Sequence, residues 1–382
     1  MKNNIFFALL LAALVLCLGC KRGPRIVPEN YREYAYVTSG AGNSVTVIDL
    51  VGFKVEKTVP VGQNPTGIGV NTKKNEIYVV NTGSDNVSVL DAARGNQVVA
   101  TIGVHRAPYY IDISPDGTRG YVANSGSANV SVIDLAGRKV LATLAVGGGP
   151  GMARVSADGR TVVTSNRTDG TVSLIDTEKM AVRSTLPVCK TPEDVVILPD
   201  SSQAFVACTG SNQIASIDLK KDRVLTLLDV GKTPIHLALK PDGGELFTCN
   251  FDAHSVSSVS TYANEVSGTF LIGQNPVRAL VKSDNTTLYV SNFGSDTVSV
   301  YNIGTGKLLG TMPTGSKPDA IALSATEEYL LVANAQSGDV AVLRLTRMPT
   351  TSKISKERAL VNMIPVGAQP NAIAVKAFNV TQ

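Results

Sequence analysis

The sequence predicts an all-β fold: an eight-bladed β-propeller of four-stranded antiparallel blades. Three observations predict it. A block reading Tyr-Val-x-Asn, a polar turn and Val-Ser-Val-Ile-Asp recurs along almost the whole chain, as in Tyr121–Asn124 with Val130–Asp134. The copies of its Asn slot fall at 39, 81, 124, 166, 208, 250, 292 and 334, a spacing of 42 or 43 residues. A second block alternates with the first: an apolar run, Val-Gly-x-x-Pro, and another apolar run, with prolines at 65, 108, 150, 192, 234, 276, 318 and 370. Each period therefore holds four short apolar runs separated by turn residues, and four strands in about 40 residues make a propeller blade.

The elements follow in chain order. Lys2 precedes an apolar run from Ile5 to Leu18 that is short for a membrane span and has the form of an export signal. Residues 1–19 read as a signal peptide. Leu18-Gly19-Cys20 resembles the bacterial lipobox, with Cys17 where a leucine is usual, so Cys20 is the expected lipidation site. Residues 20–30 then form a tether. The propeller spans 31–377 and 378–382 form a short tail. Seven complete blades begin at the prolines from Pro65 to Pro318. The leftovers are three strands at about 34–61 and a lone strand at Ala372 to Val375. Together they make an eighth blade, a three-plus-one closure that pairs both chain ends in one sheet. The alternative is seven blades with a degenerate extra unit. The last blade carries an insertion within Arg347 to Arg358, read as an exposed basic loop.

Composition narrows the function classes. Of 382 residues, 43% are hydrophobic and 17% charged, which excludes a disordered chain. The net charge of +4 is too small for a dedicated nucleic-acid binder, so no nucleic-acid partner is expected. Trp is absent, aromatics reach 5%, and there are three His, which argues against an aromatic cage or a His-rich metal site. No metal site is expected. The chain is expected to be a monomer.

Repeated residues read as scaffold. The slot Asn is expected to bond its own turn backbone, and the Gly of Val-Gly-x-x-Pro to permit positive φ. Departures from the repeat are more informative. His105 and Cys189 occupy the Gly slot and Cys208 the Asn slot. His105 and Cys189 lie two blades apart, at about 20 Å too far for one metal ion. Cys189 and Cys208 belong to one blade and its link, and an exported protein can join them in a disulfide. Cys249 reads as a small buried apolar residue.

The residues just after each proline should ring the channel mouth. They vary from blade to blade, while the apolar positions behind them do not. The ring offers Tyr109, Tyr110, Glu193, Asp194, His236, Arg278, Asp319 and Asn371, with Asp112 and Arg154 slightly further in. Asp194, His236 and Arg278 fall on three consecutive blades. An acid, a titratable ring and a fixed cation side by side suit anion binding or acid–base catalysis. The plainer reading is that these groups neutralise one another in a wet funnel.

The two repeated blocks also carry a family resemblance. Over residues 31–377 the chain resembles the YVTN-family β-propeller repeat proteins of microbial cell surfaces. That implies an exported, lipid-anchored envelope protein, periplasmic or on the surface, binding a protein, a glycan or a small ligand. Fold alone does not assign an activity. Some propellers similar to this one are lactonases, which would place catalysis or a divalent cation at the mouth, on Glu193, Asp194, His236, Arg278 and Asn371. Others handle d1-type haem, for which His105 or His236 would be the axial ligand. The chain has no Gly-x-Ser-x-Gly, His-Glu-x-x-His or Cys-x-x-Cys-His motif.

Overall fold

The computed structural model describes residues 27–349 and 359–380. Among these, 32 strands form eight four-stranded antiparallel sheets, and the one helical element is a short 3-10 turn at Leu345–Arg347. The protein is an eight-bladed β-propeller, and the seven-blade alternative is excluded. Blades 2 to 8 each run from inner to outer strand and begin at Pro65, Pro108, Pro150, Pro192, Pro234, Pro276 and Pro318. Blade 1 takes Tyr31–Ser39, Ser44–Asp49 and Lys54–Pro60 from the N-terminal side and its inner strand, Pro370–Asn379, from the C-terminal side. This closing strand outruns the Ala372–Val375 segment and the 377 boundary read from the sequence. Tyr31 pairs with Asn379, and the Val380 N–H reaches the Asn30 carbonyl, so part of the expected tail and the end of the expected tether join the sheet. The signal segment, Cys20, and residues 350–358 of the insertion lie outside the described residues.

Burial follows strand position. The two middle strands of each blade are covered on both faces and read as near-continuous apolar runs, such as Val163 and Leu174 of blade 4. The outer strands alternate, as in Lys139–Ala145. Neighbouring blades pack through apolar clusters; between blades 1 and 2 these include Tyr36, Val47, Ile77, Val79 and Leu90. The Tyr36 hydroxyl crosses that seam to donate to Asn96 Oδ1 at 2.6 Å, which satisfies a buried phenol.

Except at Gly367, whose φ is +103° as expected, the repeat glycine has a different role from the one expected. Positive φ falls on the residue just before each proline, from Asn64 and Ala107 to Lys317 and Gln369, at 49–63°. The preceding turn holds several of these backbones: the Asn64 N–H donates to Asn43 Oδ1 (2.9 Å) and the Lys317 N–H to Asp296 Oδ1 (2.8 Å). The glycine is needed for close approach instead. A Cβ on Gly62 would sit 2.7 Å from Asn81, and one on Gly273 would sit 2.3 Å from Asn292. The slot Asn likewise bonds side chains and not its turn backbone: Asn81 Nδ2 donates to Asn86 Oδ1 (2.7 Å) and Ser88 Oγ (2.9 Å). The same pattern recurs at Asn124, Asn166, Asn250 and Asn292. In blade 5 a disulfide between Cys189 and Cys208, with Cα atoms 5.8 Å apart, replaces this Gly–Asn contact. Cys249 is fully buried, and burial pushes its thiol up to about 12.

Candidate functional site

The proline that starts each inner strand sets its phase, so the next residues surround one end of the central channel. There they enclose a cavity of about 250 Å³. Of the residues read from the sequence, Tyr109, Tyr110, Arg154, Asp194, His236, Arg278 and Asn371 line it. Asp112, Glu193 and Asp319 do not. Asp112 accepts the N–H groups of Ile113 (3.1 Å) and Val155 (3.0 Å), and burial raises its carboxyl above the usual range against the pull of Arg154. Glu193 pairs with Arg167 at 3.1 Å, and burial raises it too. Asp319 is raised by burial and opposed by Arg278.

Asp194 and His236 come together, but both are already engaged. The Asp194 side chain is 2% exposed. One of its oxygens accepts the Val195 N–H and the other accepts the Leu237 N–H on blade 6, both at 2.9 Å. His236 Nε2 stands 3.8 Å from Asp194 Oδ2, beyond hydrogen-bond reach. His236 Nδ1 accepts the Ala279 N–H of blade 7 at 3.2 Å. That contact requires a bare Nδ1, so in the neutral ring the proton sits on Nε2. Burial pushes the imidazole down to about 4; Asp194 opposes this, and Arg278 and Arg154 reinforce it. The ring is therefore neutral and presents an N–H to the cavity. Asp112, Asp194 and His236 thus perform one structural task, joining an inner strand to the next blade's backbone.

The cations differ. Arg154 lies 4.7 Å from the Tyr110 ring centroid and its Nη1 bonds the Tyr110 hydroxyl, while its buried Nε has no partner. The Arg278 guanidinium has no hydrogen-bond or ion-pair partner among the described residues; the residue's backbone carbonyl accepts from Ser291 Oγ at 3.3 Å. Arg167, which sequence reasoning missed, stacks on Tyr109 (4.4 Å), pairs with Glu193 and donates to Ser125 Oγ (3.0 Å). The signal for it was present: in the column after the repeat slot, Arg167 is the single charged residue among Gly40, Thr82, Ser125, Thr209, Phe251, Phe293 and Ala335. Thr66 and Met152, which follow Pro65 and Pro150 in the same mouth positions, also line the cavity. His105 is exposed and bonds Thr143 Oγ1 (3.0 Å) on the outer strand of blade 3, away from this cavity.

Comparison with known proteins places the chain among β-propellers. Residues 254–363 match the family model of a seven-bladed lactonase propeller, and residues 64–236 match a choice-of-anchor I domain. No curated protein sequence matches. Among solved structures, the chain is similar to Kuenenia stuttgartiensis hydrazine synthase, with a TM-score of 0.59 and 25% identity over 70% of this chain and 91% of that one. It is also similar to a functionally unknown protein from Desulfotomaculum acetoxidans, with a TM-score of 0.62 and 16% identity over 79% and 98% of the two chains. The dihydro-haem d1 dehydrogenase NirN gives a TM-score of 0.71 at 13% identity over 91% and 75%. Likeness at the last two identities speaks for the fold alone.

Proposed function

We propose that this protein is an exported, envelope-anchored monomer that acts as a binding module, with the channel mouth as its recognition site. One observation carries the reading. The acid and the imidazole that would serve as an acid–base pair are both committed to backbone amides, so the mouth is a rigid, built surface with groups left over for a ligand. Export is supported by the disulfide, which persists in oxidising compartments, and by the match to a choice-of-anchor domain. The lipobox-like Cys20 supports the anchor.

The cofactor alternatives fit poorly. Were His236 Nε2 to ligate a haem iron, the proton would move to Nδ1, opposite the Ala279 N–H. Among the described residues no three His, Cys, Asp or Glu side chains converge as a divalent-cation site would require. A second reading, lactone hydrolysis, is favoured by the lactonase-model match over residues 254–363.

The test is native mass spectrometry with an absorbance spectrum, on mature protein purified from its own host. A bound mass in the wild type that is lost when Ala372→Tyr plugs the mouth is the expected result. A bound mass that survives the plug, or a protein or glycan partner indifferent to it, would move recognition to another surface. Turnover of a lactone panel by the wild type, abolished in Asp194→Asn, would establish the hydrolase instead.

A further inference from the structure

The wall of the cavity is divided around its circumference. On blades 4 to 7 it presents Arg154, Asp194, His236 and Arg278; on blades 8, 1 and 2 it presents Ala320 and Ile321, Ala372 and Ile373, and Ile68. Charge thus lies on one half; the other half is uncharged, and its two polar side chains, Thr66 and Asn371, are already hydrogen-bonded to neighbouring strands, which leaves its free surface mainly apolar. The charges on the first half are unequally satisfied. Both oxygens of Asp194 hold backbone amides, Arg154 is bound to Tyr110 and faces the Asp112 charge, and His236 is an N–H donor. Alone of the lining cations, the Arg278 guanidinium has no direct partner among the described residues, although its charge bears on Tyr110, Glu193 and Asp319 around it. A guanidinium held in a partly closed, half-apolar cavity, with carboxylates nearby but none in direct contact, is suited to a bidentate acceptor that offsets its desolvation.

From this divided wall and the unpartnered guanidinium we infer that the mouth binds a small organic monocarboxylate. Its carboxylate lies on Arg278 and the His236 Nε2–H, and its apolar body lies against Ile68, Ile321 and Ile373. The inference rests on the mouth being the recognition site and adds the ligand's chemistry. A polyanion is disfavoured because only one lining cation lacks a direct partner and the Asp194 carboxylate stands beside His236. A free inorganic anion would leave the apolar half of the wall uncovered.

The test is calorimetric titration of the full mature protein with benzoate, phenylacetate and isovalerate, each against its neutral amide, and with inorganic phosphate. At least one acid should bind more tightly than its amide. Arg278→Gln should weaken that acid by at least about 10-fold and leave the amide unchanged. Arg278→Lys, which keeps the charge and loses the fork, should fall between, and it serves if the Gln variant does not fold. Acids and amides binding alike would overturn the carboxylate assignment and leave the mouth standing as a ligand site. Phosphate binding with the same Arg278 dependence and no gain from a tail would overturn the apolar half of the inference. If none of the probes binds at millimolar concentration the inference fails, and the Ala372→Tyr experiment separately decides the fate of the mouth.

Discussion

His236 shows how one side chain can look catalytic and act as structure. Its ordinary pKa of about 6.5 belongs to the unfolded chain. In the fold, burial pushes it down to about 4, with Arg278 and Arg154 facing it as cations and Asp194 as the opposing charge. Between those two values the unfolded state binds the extra proton, so this residue's contribution to stability falls as pH falls from about 6.5 to about 4. The full effect is on the order of 3 kcal/mol. Asp112, Glu193 and Asp319 are shifted up by burial and act with the opposite sign in acid, so the comparison must be made between variants. His236→Asn can keep an acceptor for the Ala279 N–H and removes the titration. Its chemical-denaturation stability should therefore fall less than that of the wild type between pH 6.5 and 4, with matching slopes above pH 7. Equal slopes throughout would mean that the ring titrates in the fold as it does in the unfolded chain. Asp194→Asn tests the neighbouring contact. An amide nitrogen cannot accept an N–H, so one buried backbone donor, at Val195 or Leu237, loses its partner. The expected cost is about 1–3 kcal/mol, read from the urea midpoint.

At the scale of the element, blade 5 has replaced its whole repeat device and not just one residue. In blades 2, 4, 6 and 7 a glycine lets the link approach the slot Asn, whose amide bonds a Ser seven residues on, and blade 3 keeps the Asn–Ser bond with His105 in the glycine's place. In blade 5 the glycine is Cys189, the Asn is Cys208 and the Ser position is Ala215. The disulfide closes a short span, a sequence separation of 19, so its loss is expected to cost roughly 2–4 kcal/mol. Replacing both cysteines by serine should show that loss as a lower melting temperature. Cys189→Gly with Cys208→Asn should recover little of it, because the amide would still lack its hydroxyl; adding Ala215→Ser should recover more. A double variant as stable as the triple would show that the Ser contributes nothing. Strands, blade phase and closure were legible in the sequence because a regular period exposes them without any knowledge of packing. The purpose of the repeat glycine was not, because its constraint is an Asn side chain 19 residues away, at the end of the second strand of the blade that follows, as for Gly62 and Asn81. The commitment of Asp194 and His236 was hidden for a related reason. Their partners are backbone amides of the following blade, and any residue type supplies those.

For the molecule as a whole, stability depends on joining its two ends. The strand Pro370–Asn379 pairs with Tyr31–Ser39 along its full length, and Glu33 and Lys376 secure the closing blade on either side. Glu33 is 1% exposed and accepts the Ala325 N–H of blade 8 at 2.7 Å. The buried ammonium of Lys376, its pKa lowered by burial, donates to the Asn71 carbonyl beyond the inner strand of blade 2 at 2.8 Å. These contacts join residues more than 290 positions apart, for example Glu33 and Ala325, so the ring cannot close until the last strand has been made. A chain ending at Gln369 keeps seven whole blades but exposes the inner edge of Tyr31–Ser39 and removes Asn371, Ala372 and Ile373 from the mouth. Open edges recruit other strands. The truncated chain should elute as dimers and larger species and melt over a broad range, where the full chain gives one sharp transition. A synthetic peptide spanning residues 370–382, added in trans, should restore both the monomer and the sharp melt. If the truncated chain stays monomeric and melts as sharply as the full one, the seven whole blades form a self-sufficient unit, and closure by the C-terminal strand serves only to complete the mouth.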